Sequence, residues 1–352
     1  SDRYGRRKAL TASVLLMCLG SLVIAVTPTY ATVGAAAPAM LGLARILQGL
    51  SLGGEYGTSA TYLVEVADRK HRGFYSSFQY VTLIGGQLCA IFVLLLLQHL
   101  FLTPAELRDW GWRIPFLIGA LLAIVAAIMR RNLHETDAFV EAEKKGREAS
   151  LRSLLNYPRE ILLVVGLTAG GTAAFYTYTT YMQKFLRLSV GLTDTETTTV
   201  TAAVLIFAML LQPIYGALSD RIGRKWLLIF FGAGGTLFTI PLLNALSDTK
   251  TALGAFFLIC IAWTIVSGYT SINAVVKAEL FPTKVRATGV GLPYALTVSI
   301  FGGTADTVAL YFKKIGHEAW FSYYLTAIIA FSLIVVLTMR DTKKHSALQR
   351  HE

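Results

Sequence analysis

Uncharged apolar runs about as long as a bilayer is thick recur along this chain, and no other feature restricts its folding as strongly. Residues 9–27, 114–129, 227–246 and 320–339 contain no Asp, Glu, Lys or Arg, and each approaches the roughly 20 residues with which a helix crosses a hydrocarbon core. In lipid every backbone polar group needs an internal partner, so runs of this length are read as spanning helices. Charged residues make up 15% of the sequence, against about 25% in soluble domains.

Apolar stretches between charged or Pro/Gly breaks predict ten helices, near 9–29, 38–64, 74–100, 112–130, 159–186, 196–218, 225–246, 252–276, 287–311 and 318–340. Alternate connections then divide the cations unequally. One side holds 24 of the 32 Lys and Arg, with Lys277, Lys284 and Arg286 counted together in a loop at 277–286, and the other side holds 7. The positive-inside rule makes the first side cytoplasmic, along with both visible ends of the chain. This bias accounts for the net charge of +11 without nucleic acid as a partner. Cys18, Cys89 and Cys260 lie inside apolar runs with no C-x-x-C spacing, so no disulfide or metal site is implied.

The chain repeats itself. Ser1-Asp2-Arg3-Tyr4-Gly5-Arg6-Arg7-Lys8 returns as Ser219-Asp220-Arg221-Ile222-Gly223-Arg224-Lys225-Trp226. Fainter echoes follow at nearly the same offset: Glu65 and Arg72 match Glu279 and Arg286, and Gly85-Gly86 matches Gly302-Gly303. Parallel repeats of helical half-bundles are the build of the major facilitator fold. The expected organisation is a half-bundle over 1–130, a cytoplasmic linker over 131–158 that is partly an amphipathic surface helix, a second half-bundle over 159–340, and a cytoplasmic tail over 341–352. The second repeat copy follows two helices and the first follows none, so the ten helices are expected to be numbers three to twelve of twelve.

At Asp2-Arg3-x-Gly5-Arg6-Arg7, Asp220-Arg221-x-Gly223-Arg224-Lys225 and Arg45-x-x-Gln48-Gly49 the chain resembles the major facilitator superfamily. Residues 53–62, 110–116 and 278–286 are similar to the metabolite:proton symporter family within it, and so are 73–88 and 176–184. The resemblance implies an all-α membrane protein that imports a dicarboxylate with protons by alternating access, α-ketoglutarate foremost. It implies no cofactor beyond the proton as coupling ion, a bacterial inner-membrane location and a monomer. Asp306 is a departure from the resemblance, which implies the longer acid Glu at that position in relatives.

Arg45 lies inside a helix, where a charge costs about 2.5–3.5 kcal/mol on insertion scales, so it must face protein or a wet cavity. Gln48, Glu55 and Tyr56 share its face. Arg45 either binds a carboxylate with its planar fork, or tunes a proton-carrying acid as a coupling residue, or ties helices together through an acid or backbone carbonyls. Glu55 and Asp306, the acids inside apolar spans, are proton-coupling candidates or fixed partners of such a cation. Lys184 follows a hydroxyl-rich face bearing Tyr176 and Tyr181, which fits a cavity, although a lysine near a helix end also snorkels to the interface. Gln79, Tyr80, Gln87, Tyr269, Asn273 and Tyr294 complete the substrate-binding candidates. The cytoplasmic gate is expected from Asp2, Arg3, Gly5, Arg6, Arg72, Asp220, Arg221, Gly223, Arg224 and Arg286, with the aspartates pairing to arginines across the gap. Gly49, Gly53 and Gly57 recur every four residues, which permits close helix approach.

Other classes find less support. No Walker loop, H-E-x-x-H or C-x-x-C motif indicates a membrane enzyme. Symporters for citrate, shikimate or a zwitterionic osmolyte, and a transporter-like sensor without flux, are the alternatives.

Overall fold

The computed structural model describes residues 2, 5–130, 134–137, 140–141 and 151–347. Among them only helices and their connections occur. Ten long helical stretches cross the molecule: α1 (Arg6–Val26), α2 (Ala36–Val66), α3 (Arg72–Phe101), α4 (Gly111–Arg130), α5 (Pro158–Val190), α6 (Asp194–Ile222), α7 (Arg224–Asp248), α8 (Ala252–Leu280), α9 (Thr283–Lys314) and α10 (Ala319–Thr338). Nine are long and apolar enough to span a membrane. The tenth, α2, carries Arg45, Gln48, Glu55 and many small residues, which dilute its hydropathy. Much of the expected amphipathic linker helix lies outside the described residues, as does Arg3.

Local chemistry fixes several boundaries. Thr193 and Glu196 form a capping box that starts α6, each supplying the acceptor for the other's backbone N–H. Thr103 and Glu106 do the same for the short helix Pro104–Asp109. There the Glu106 carboxyl is held below the usual range by the Thr103 N–H and hydroxyl. One predicted boundary fails. The helix expected to end at 276 turns irregularly at Ser271-Ile272 and resumes as Asn273–Leu280, so Lys277 sits in a span and not in a loop.

The bundle wears its apolar side chains outward: Leu121, Ile128, Leu210, Ile214, Leu237 and Leu337 are all exposed, the surface a lipid solvent demands. Within it, α1 packs on α2 and α4, and α10 packs on α5 and α7. Two crossings join the repeat copies, α2 on α9 and α3 on α6. Both are glycine contacts. A Cβ on Gly57 would lie 2.7 Å from Gly291 Cα, and one on Gly73 would lie 2.6 Å from Gly216 O. Gly49 meets nothing within 4 Å and Gly53 only a side chain at 3.4 Å, so of that four-residue series Gly57 makes the close approach.

Candidate functional site: a buried lysine above two latches

The irregular turn in α8 delivers Lys277 to the middle of the molecule. Its side chain is 0% exposed. Nζ donates to Asn273 Oδ1 at 3.0 Å, to Tyr269 Oη at 3.2 Å and to Tyr56 Oη at 3.5 Å. It also lies 4.2 Å from the ring centroid of Tyr294, within cation–π range. Tyr294 stacks on Tyr56 with centroids 3.5 Å apart, the Tyr56 hydroxyl bonds Asn273 Oδ1, and Tyr80 closes the group from α3. Among the described residues no carboxylate pairs with Lys277. The cluster thus presents an ammonium, several hydroxyls and aromatic faces, groups whose chemistry suits an anion.

At one end of the bundle, the two repeat copies build two latches from the same parts. Asp2 accepts from the N–H groups of Ala287 at 3.2 Å and Thr288 at 2.7 Å, at the first turn of α9's helical stretch. Asp220 accepts from Gly73 and Phe74 N–H, both at 2.9 Å, at the first turn of α3. Each aspartate therefore caps a helix of the other copy, where the dipole favours an anion. Behind them, Arg6 pairs with Asp2 at 2.8 Å and with Glu65 at 3.0 Å, and Arg286 reaches Glu65 at 2.6 Å. In the second latch Arg224 pairs with Asp220 at 2.8 Å and with Glu279 at 3.5 Å. Buried Arg72 adds its charge beside Glu279.

Two glycines turn the chain into these motifs with φ of 93° at Gly5 and 99° at Gly223, a left-handed conformation that glycine adopts without strain. The N–H groups after them are capped in turn. Arg6 and Arg7 donate to Glu135 Oε1 at 2.6 and 3.0 Å, and Arg224 donates to Asp341 Oδ1 at 3.2 Å. Thr136 donates to Glu65, and Thr342 to Glu279, each at 2.6 Å.

The opposite end opens into a cavity of about 1050 Å³ lined by Gln87, Thr180, Gln183, Lys184, Arg187 and Asp194, among others. Arg187 pairs with Asp194 at 2.6 Å, and Lys184 pairs with Asp306.

Comparison with known proteins identifies the family of this helical repeat bundle. The family profile of the Major Facilitator Superfamily matches twice, over residues 1–305 and 181–352. The chain belongs to this superfamily. Alpha-ketoglutarate permease of Escherichia coli (strain K12) is 50% identical over 339 residues, covering 96% of this chain and 78% of that protein. A citrate-proton symporter of Klebsiella pneumoniae is 33% identical, covering 88% and 69% respectively. Among solved structures, the proton:xylose symporter XylE bound to 6-bromo-6-deoxy-D-glucose superposes with a TM-score of 0.79 at 17% identity, over 95% of this chain and 80% of that one; at that identity the likeness concerns the fold.

Within the superfamily fold, the residues singled out from sequence fall in separate places. Tyr56, Tyr80, Tyr269, Asn273 and Tyr294 gather around Lys277. Tyr176 borders them, wedged where a Cβ on Gly302 would come within 2.7 Å of its ring. Gln79 accepts from Ser59 at 3.0 Å. Gln87 and Lys184 line the cavity. Tyr181 turns instead to Glu318 at 3.4 Å. Arg45 is exposed and donates to Gln48 at 3.0 Å, away from the lysine cluster. Glu55 pairs with Arg130 at 2.6 Å. Arg221 stays exposed at the latch, its carbonyl accepting from Lys343 at 3.2 Å. Lys277, which patterning places among the loop cations, and Glu65 and Glu279, which it shows only as echoes of the repeat, are not distinguished by sequence as members of these clusters. The matched spacing of the two glutamates to Arg72 and Arg286 is the available signal.

Proposed function

We propose that this chain is a secondary transporter that carries α-ketoglutarate inward with protons, and that Lys277 is the cation that receives one of its carboxylates. The uncompensated burial of Lys277 carries the reading. A dianion brings the charge that Tyr56, Tyr269, Tyr294 and Asn273 do not supply. A zwitterion such as betaine adds no net charge and leaves the ammonium as it was. The relatives named for α-ketoglutarate and for citrate with protons support the carboxylate class. Moving the second charge against an inside-negative potential costs about 2.3 kcal/mol per 100 mV, which co-transported protons offset. Arg45 and Glu55, apart from the lysine cluster, are proposed coupling groups.

With the basic loops inside, the latches are cytoplasmic and the cavity periplasmic, so the conformation described here faces outward across a bacterial inner membrane. The helix set before residue 131 and the set after residue 158 then rock about the Lys277 cluster. Breaking the latches while closing the cavity presents the site to the other side.

The test is uptake and counterflow of labelled α-ketoglutarate in proteoliposomes, with succinate and betaine as competitors. Competition by succinate alone, and loss of both binding and counterflow in Lys277→Gln, is the expected result. Normal counterflow in Lys277→Gln refutes the site, and binding without any flux makes the protein a sensor.

A further inference from the structure

At the cavity end Lys184 on α5 pairs with Asp306 on α9. Lys184 lines the cavity and Asp306 does not. The ammonium, 45% exposed, is thus drawn from the cavity wall toward a carboxylate that is 24% exposed behind it. Asp306 uses only one oxygen for this. Its Oδ1 is buried with no hydrogen-bond partner, and besides Lys184 the carboxylate has the modest support of the helix dipole, in the first turn of Ala305–Lys314.

A fastening role is already filled nearby. Lys313 donates to Ser189 at 2.8 Å and pairs with Glu318 at 2.9 Å, and Ser189 and Tyr181 both bond Glu318. This cluster ties the end of α5 to the α9–α10 connection without help from Lys184. Arg187 and Asp194 differ in another way: both line the cavity and both are well exposed, at 55% and 77%.

The backbone around the pair is also unusual. Lys184 lies between the π-helical turns Thr177–Tyr181 and Leu186–Val190, and Asp306 follows the π-helical turn Val298–Gly302. Such turns are rare, appear mostly as single-turn bulges within α-helices and are frequent at functional sites. They re-aim the side chains that follow them.

We propose that Lys184 is an outer capture subsite for substrate carboxylate, with Asp306 as a built-in stand-in for that carboxylate while the cavity is empty. The proposal rests on the symport reading above. An incoming dicarboxylate meets Lys184 from the cavity side, replaces Asp306 on the ammonium, and is passed inward past Tyr176 toward the Lys277 cluster. The internal carboxylate keeps the lysine poised at the wall and makes capture reversible, since an ion pair at a half-exposed site is weak. No bond is made or broken in the exchange; one ion pair replaces another.

The experiment is the half-saturation concentration for α-ketoglutarate at each face, in right-side-out and inside-out vesicles of wild type, Asp306→Asn, Lys184→Gln and the double variant. Removing the competitor in Asp306→Asn should lower the outer half-saturation about fivefold. Removing the cation in Lys184→Gln should raise it about tenfold. The double variant should match Lys184→Gln, because Asp306 acts through that lysine, and inner values should not move. Should Lys184→Gln fail to insert, Asp306→Asn decides by itself, since a purely structural pair predicts no gain in apparent affinity. An unchanged or raised outer half-saturation in Asp306→Asn overturns the capture site and leaves the Lys277 assignment standing. Wild-type protein that takes up no dicarboxylate overturns both.

Discussion

Arg6, Arg224 and Arg286 at the latches and Lys277 at the centre are equally cut off from solvent, none more than 1% exposed, yet the protein treats them oppositely. Each of these three arginines pairs with a carboxylate: Arg6 with Asp2 and, together with Arg286, with Glu65, and Arg224 with Asp220 and Glu279. Lys277 has hydroxyls, an amide oxygen and aromatic faces. A self-neutralised network holds a conformation, whereas under the proposed function an ammonium with only neutral partners is completed by an anion from outside. The latch and the site are thus distinguished by who supplies the counter-ion.

The largest effect that sharpens this contrast is expected at Glu65. Replacing it with Gln leaves two buried guanidiniums without their shared acid, and breaking a buried ionic network in this way costs about 3–5 kcal/mol. Thermal unfolding in detergent measures it; a Glu65→Gln protein as stable as wild type would end the comparison. Lys277→Met should move stability the other way, by about 1–4 kcal/mol, the gain seen when well-packed apolar residues replace buried charge, while dicarboxylate binding disappears. A lower melting temperature there would mean that the neutral cage already compensates the charge.

At the crossing of α2 and α9, Gly57→Ala forces a methyl against Gly291 Cα at 2.7 Å. An overpacked contact of this kind costs about 1–3 kcal/mol. Cysteine accessibility at the latch end should report the latch held open. The smallest effect is expected from Asp220→Asn, which keeps one of the two acceptors that cap α3 and loses its charge toward Arg224, a change of about 1 kcal/mol. Maximal transport rate should fall with half-saturation unchanged, and Asp2→Asn should behave alike. A loss of affinity in either would assign these aspartates to substrate and not to the latch.

Much of this molecule is written in local pattern. Hydropathy runs placed the ten helices because a spanning segment must satisfy its backbone within itself, so its signal is contained in its own residues. The repeated Asp-Arg-x-Gly-Arg motif marked both latches for a similar reason: a positive-φ glycine and a cap acceptor are requirements of the turn that holds them. Tyr56, Tyr269, Asn273 and Tyr294 were recognisable as polar groups on apolar helices. What could not be read was which of them meet. Tyr56 and Asn273 are separated by 217 positions and Arg286 and Glu65 by 221, and no local period relates such pairs.

Lys277 shows the limit most clearly. A lysine seven positions before Lys284 and nine before Arg286 looks like one more cation of a basic loop, because hydropathy assigns a charge at the edge of an apolar run to the water side. The sequence by itself determined a membrane-spanning helical repeat protein with paired basic turns. Only the tertiary structure decided that α8 bends at Ser271-Ile272 and continues inward, and that bend makes one of those loop cations the buried centre, since a charge's meaning depends on the counter-ions that distant helices bring or withhold.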